Sequence, residues 1–225
     1  MVMRLSREDH DIVTAAVTAA ERITDGEIVP VVAARSDAYH DVALHYAVLA
    51  MLLVPAALAA VPQQWIDWSA AMLLGWDWEL SRGTVMLYLF AKLAGAFLIV
   101  RLILAYQPLR MALTPGATRS RRVRRRAIEL FRTSCELRTR GRTGVLLYVS
   151  LAERRAEIVA DKAVTDEVGA EAWGEAMAAL VDEIKAGRPG EGMARAIERI
   201  GAVLAGILPP KSDNPNELPD RLVEL

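Results

Sequence analysis

The chain has 225 residues, 53% of them hydrophobic, with a mean hydropathy of +0.23 and a net charge of -1. That is apolar for a soluble domain and polar for a multi-span transporter, and the length allows one or two domains. A single cysteine, Cys135, excludes an internal disulfide. The near-zero charge hides an asymmetry: over residues 110–142, eleven arginines face only Glu129 and Glu136, so this segment carries +9 and the remainder -10.

In chain order, Ser6 caps a helix with Glu8 and Asp9 in its first turn. Ile12, Val13, Ala16, Val17, Ala20 and Ile23 form its apolar face. Asp25-Gly26 ends it, and GEIVPVVA, residues 26–33, reads as a short strand. Pro30 inside that strand argues for an edge position or a bulge. A second helix starts near Ser36 and runs into residues 42–61, an apolar run of about the ~20 residues a bilayer span needs.

His45 is the only ionisable group in that run, and Pro55 would kink it, which spans tolerate. Residues 84–106 form a second candidate span containing Lys92 and Arg101. Both charges lie off-centre, where they snorkel to opposite interfaces or make a polar contact inside a helical assembly. The connector, residues 62–83, carries Trp65, Trp68, Trp76 and Trp78, a set of interface anchors on a short helix lying at headgroup level. The first 40 residues are charged and patterned, the wrong order for a cleavable signal peptide. The connector has only Arg82, whereas arginines crowd the chain after the second span. The positive-inside rule then places both termini in the cytoplasm.

A basic helix follows over residues 120–137. Arg119, Arg121, Arg122, Arg124, Arg125 and Arg126 meet anionic headgroups there. Nucleic acid is the rejected partner: the block starts just after a span, and only Phe131 offers a ring for base stacking. Residues 144–150 form a strand buried on both faces, and 156–161 an alternating one. A helix over 169–186 turns Ala172, Trp173, Ala176, Met177, Leu180, Val181 and Ile184 inward and stops at Gly187. Another, over 190–207, buries Met193, Ile197, Ile200 and Leu204 before Pro209-Pro210. Residues 210–225 are a polar, turn-rich tail.

Neither flank has enough sheet alone. Together, residues 1–41 and 107–209 give one α/β domain, with a membrane hairpin over 42–106 inserted after its first strand. The partner expected for the 144–150 strand is therefore GEIVPVVA, on the same side of the membrane.

This arrangement resembles the TPM-domain family. The resemblance lies in AAERITDGEIVPVVA, in LFRTSCELRTRGRTGVLLYVSLAERRAEIVADKAV, in the helix with Trp173, in GMARAIERIGAVLA and in NELPDRL. It implies a small three-layer α/β/α fold, and the last motif is similar to a bacterial membrane subgroup with a two-span hairpin splitting the domain. The family carries a phosphatase label, and members bind divalent cations through acidic residues at one end of the sheet. Others are accessory or assembly factors for membrane complexes. This chain has Asp161-Lys162-Ala163 where secreted members have a glycine-rich turn.

A calcium or magnesium site needs several oxygens from at least two loops. Asp161 and Asp166, with Thr165 and Glu167 nearby, offer one such cluster; the alternative is a solvated loop with Asp166 at a helix start. Asp37 and Asp41 beside His40, and Asp9-His10-Asp11, read as surface groups. His40 and His45 are wrongly spaced for a zinc pair. Cys135 has Gly141 where a cysteine-phosphatase loop needs arginine. There is no Walker loop, nucleophile elbow or HExxH. The expected protein is a two-pass one of the bacterial inner membrane, acting as a non-catalytic interaction or assembly module for a membrane-protein partner. The alternative is a divalent-metal-dependent phosphatase.

Overall fold

The computed structural model describes residues 5–75, 81–135, 143–210 and 218–225. Its elements in chain order are α1 (Arg7–Glu21), β1 (Glu27–Ala33), α2 (His40–Ala60), α3 (Gln63–Leu74), α4 (Arg82–Ile103), α5 (Gln107–Leu113), α6 (Gly116–Ser134), β2 (Gly144–Ser150), β3 (Arg155–Ala160), α7 (Lys162–Glu167), α8 (Gly174–Lys185), α9 (Pro189–Ile207) and β4 (Val223–Glu224). They form two compact units: Met1–Asp37 with Gly116–Leu225, and Ala38–Pro115.

The first unit is an α/β/α sandwich. β1 and β2 pair in parallel over their whole length, from Glu27 opposite Gly144 to Ala33 opposite Ser150. This is the partnership the sequence pattern called for. β3 runs antiparallel to β2, and the sheet order is β3-β2-β1-β4. Side chains alternate across the sheet. Ile28, Val32, Val145, Leu147 and Val149 pack with α1, α8 and α9 on one face. Val29, Val31, Leu146 and Tyr148 pack with Val123, Ala127 and Phe131 of α6 on the other. β2 is buried along its entire length, which explains its unbroken apolar run.

α1 opens with a capping box: the Asp9 amide donates to Ser6 Oγ at 3.0 Å, and the Ser6 amide donates to the Asp9 carboxylate at 2.8 Å. Its buried stripe is Val13, Ala16, Val17 and Ala20. Ile12 and Ile23, expected on that stripe, are exposed, Ile12 because it sits one position off the seam and Ile23 because it lies beyond the helix end. The seam is tight against α9: a Cβ built on Gly201 would sit 2.7 Å from Ala20 Cβ.

Four other expectations need correction. The tail reads as polar and turn-rich, yet its last residues form β4, pairing Val31 with Val223 and Val32 with Glu224. Two residues are too few to show an alternating pattern. The helix expected over 169–186 opens with a 3-10 turn at Ala170–Trp173 and becomes α-helical only from Gly174, and a separate short helix, α7, precedes it across the extended Val168 and Gly169. Asp166 therefore belongs to α7, and Ala172, on the 3-10 turn, is exposed. The helix leading into the first apolar run starts at His40, not near Ser36, after a left-handed Tyr39. The basic helix starts at Gly116, four residues before 120.

Pro30 is accommodated by an incomplete edge. β4 covers β1 only at Val31 and Val32. By strand alternation, Ile28, Pro30 and Val32 turn their amide positions toward that edge. Pro30 has no N–H to lose there. The Ile28 amide donates to Glu21 Oε1 at 2.9 Å, and the Leu218 amide donates to Glu27 Oε2 at 3.2 Å. Thr18 Oγ1 donates to Asp220 at 2.8 Å, bringing a third carboxylate to Glu21 and Glu27.

In the second unit, α2 and α4 pack along each other. Both are long and apolar enough to cross a membrane, and only 17% and 6% of their most apolar windows are buried. A core helix of a soluble domain would be mostly buried. α3 is pinned to α4 by a 2.7 Å hydrogen bond between Ser69 Oγ and the buried Tyr88 hydroxyl. The Lys92 ammonium lies over the Tyr88 ring, 5.2 Å from its centre. After α4 the chain bends into α5, where the buried Arg110 donates from Nη1 to the Leu104 carbonyl at 3.2 Å.

The acidic edge has a pH signature. Glu21 is pushed up from 4.5 to about 8, chiefly by burial and then by repulsion from Glu27 and Asp220, against the lowering effect of the Ile28 amide. The folded state keeps a proton that the unfolded chain releases above 4.5. Stability from this group is whole below 4.5, declines as pH rises, and is gone above about 8. Glu21→Gln keeps an acceptor for Ile28 and a donor for Asp220 without the titration. The melting temperature of the variant should match wild type near pH 5 and exceed it near pH 8; parallel profiles would contradict the assignment.

Candidate functional site

The carboxyl ends of adjacent parallel strands are where α/β sheets place ligands and partners. Here those ends carry Ser36, Tyr148, Ser150 and Glu153. The β2–β3 turn, with Arg154 in a left-handed conformation at φ 51°, folds the Glu153 carboxylate back over the strand ends. Glu153 is buried. Its Oε1 accepts the Ser36 amide at 3.0 Å, and its Oε2 accepts the Ser150 hydroxyl. Ser36 Oγ shares a 3.0 Å hydrogen bond with the Tyr148 hydroxyl. Arg122 Nη1 donates to Asp37 at 2.8 Å. The Leu151 and Ala152 amides donate to the Ala33 and Ala34 carbonyls. Residues 33–37 are thus tied to the turn, to the sheet centre and to α6, at the point where the chain leaves the domain.

This is a positioning device rather than an acid–base pair. The Tyr148 hydroxyl is raised, first by burial, with Ser36 hydrogen bonding working the other way, so it is neutral at physiological pH. Sequence reasoning missed the cluster because Ser36 lies more than a hundred residues before Tyr148 and Glu153, and the three match no motif. The one local signal was a glutamate next to the turn of an otherwise buried hairpin.

The six arginines predicted for a membrane surface lie on or beside the outer face of α6. Val123, Ala127 and Phe131 recur every four residues and turn inward. Arg121, Arg124, Arg125 and Arg126 are exposed, and Arg119 and Arg122 half-buried. Arg125 and Arg126 share Glu129, at 3.1 and 3.6 Å. Arg124 and Arg155 work against the burial that raises Glu157. Of the predicted interface anchors, Trp65 and Trp68 are exposed on α3 and meet edge to face, their ring centres 6.1 Å apart. Trp76 and Trp78 lie outside the described residues.

Asp161 and Asp166 do different jobs. Asp161 is buried, and its Oδ2 accepts the Gly144 amide at 3.2 Å, closing the β2–β3 ladder. Asp166 is exposed on α7. Among the described residues, no group of three or more Asp, Glu, His or Cys is placed to hold a metal ion. Cys135 is buried beneath α6, in the core rather than in a reactive loop.

Glu153 anchors the exit of the chain, so its truncation should loosen that exit specifically. Glu153→Ala strands the Ser36 amide and the Ser150 hydroxyl, at a cost of about 1–3 kcal/mol for each buried group left unpaired. Amide hydrogen exchange should speed up at Ser36 and Asp37 while α9 stays protected. Uniform acceleration across the domain would point to general unfolding instead.

Comparison with known proteins agrees with this architecture. The chain resembles the NMR structure of the BA42 protein from the psychrophilic bacterium Bizionia argentinensis, with a TM-score of 0.55 and 18% identity over 98% of this chain and 95% of that one. At that identity the likeness is one of fold. At the level of sequence the chain matches no curated protein. Residues 110–203 match the TPM domain family. The match includes β2, β3 and their helices, and β1 completes the same sheet from the other flank. Residues 110–203 are therefore similar to the TPM domain, and the fold of the unit they belong to agrees with that match.

Proposed function

We propose that this chain is a two-pass protein of the bacterial inner membrane whose TPM domain, with both termini, faces the cytoplasm and acts as a non-catalytic interaction or assembly module. The observation that carries the reading is the placement of α2 and α4. They are the two most apolar helices, their apolar surface is largely exposed, and they lie within the crossover between β1 and β2. Exposed apolar surface of this extent needs lipid or protein to cover it. The arginine face of α6 follows directly in the chain and suits anionic headgroups, each basic residue contributing about 1 kcal/mol near such a surface.

The domain's buried carboxylates favour a scaffold. Glu27, Glu153 and Asp161 each accept hydrogen bonds from the chain's own backbone. A carboxylate committed in this way orders the fold and is poorly placed to activate water. In mild detergent, a membrane-protein partner should co-purify with the full chain and be lost when residues 42–106 are replaced by an unrelated two-span hairpin. Turnover of a phosphate ester that disappears both with chelator and with Asp161→Asn would overturn the reading in favour of a metal-dependent phosphatase.

A further inference from the structure

Two cavities lie among the helices of the second unit, and they differ in chemistry. One, of about 300 Å³, is lined by Tyr46 and aliphatic residues alone. The other, of about 550 Å³, is lined by His40, Leu98, Arg101, Leu102, Ala105 and Arg110. His40 is the first residue of α2 and Arg101 lies in the last turn of α4. The second cavity therefore marks one end of an antiparallel helix pair.

Arg110 is an unusual lining residue. It is only 6% exposed, and its guanidinium is bonded to a neutral acceptor, the Leu104 carbonyl. Among the described residues, no carboxylate pairs with Arg110 or with Arg101. Burying a guanidinium without an anion is costly, and a phosphate would supply both the charge and acceptors matched to its fork. Leu98 and Leu102 lie one turn apart on the same face of α4 and are 63% and 77% exposed. They continue the cavity as an apolar track along the helix. Cations at one end and an exposed aliphatic track at the other match an amphiphile better than a free ion.

We infer that this cavity binds the phosphate of an anionic membrane lipid, held by Arg101 and Arg110 beside His40, with an acyl chain laid over Leu98 and Leu102. The inference rests on the membrane reading of α2 and α4. It is separate from the arginine face of α6, which none of these residues belongs to.

The test uses the full chain in neutral detergent, titrated with dioctanoyl phosphatidylglycerol, with phosphatidylcholine of the same chain length and with inorganic phosphate, while its melting temperature is followed. A ligand that binds the folded state raises that temperature saturably. Phosphatidylglycerol should do so, and the other two should not. Arg101→Gln, at an exposed position, should weaken the apparent affinity by about tenfold or more, the loss of one strong charge-assisted contact. Arg7→Gln, exposed in the first turn of α1, should leave it unchanged. An equal response to inorganic phosphate would make this a free-anion site, and an equal response to phosphatidylcholine would make it general amphiphile binding; either result overturns the inference. So does an undiminished response in Arg101→Gln. A chain that resists alkaline carbonate extraction from membranes yet ignores phosphatidylglycerol refutes the lipid site alone, whereas extraction by carbonate refutes the membrane reading with it.

Discussion

The structure depends on one pairing: Glu27–Ala33 beside Gly144–Ser150, parallel and in register along the full length of both strands. Parallel neighbours cannot be joined by a hairpin, so the chain must leave the end of β1 and return to the start of β2. α6 supplies the return over the sheet and buries Val123, Ala127 and Phe131 on its way. The whole second unit lies in the same connection. A domain with that connection tolerates an excursion into a membrane only if the excursion comes back to its starting side. Two long apolar helices meet this condition, and one would not.

The two ends of the β1–β2 pair are finished with different chemistry. At the carboxyl end, hydroxyls and a buried glutamate hold residues 33–37 against the β2–β3 turn. At the amino end, Glu21 takes the Ile28 amide that a short β4 leaves uncovered, Glu27 takes the Leu218 amide, and Asp220 takes the Thr18 hydroxyl. The first arrangement fixes where the chain departs for the helical unit. The second fastens the C-terminal residues to β1 through proton-dependent contacts. Both hold chain segments distant in sequence, as a domain split by an insertion requires.

Much of this was legible in the residues. The unbroken run GVLLYVS announced a strand covered on both faces, and only a distant partner such as EIVPVVA could complete its sheet. The apolar spacing in α9 placed Met193, Ile197, Ile200 and Leu204 in the core, where all four are fully buried. What stayed hidden has physical reasons. β4 is two residues long, and its strand character comes from the open edge of β1. α7 is six residues long, too short to show a helical period, and the extended Val168 and Gly169 divide it from the turn that leads into α8. The Ser36–Tyr148–Glu153 cluster is a tertiary meeting of residues that are unremarkable one by one. Arg110 looked like the first member of a surface arginine block and instead lines a cavity.

The claim that orders the rest is that the connection between β1 and β2 crosses a bilayer twice. Sided cysteine labelling tests it directly, because the native Cys135 is buried and can be replaced by serine. Single cysteines would be placed at Glu8, in the first turn of α1, and at Gln64 on α3, both exposed. A membrane-impermeant maleimide added to intact spheroplasts should label the Gln64→Cys chain at once and the Glu8→Cys chain only after permeabilisation. Labelling of both from the same side would contradict a two-span insertion and leave α2 and α4 to be covered by protein instead of lipid.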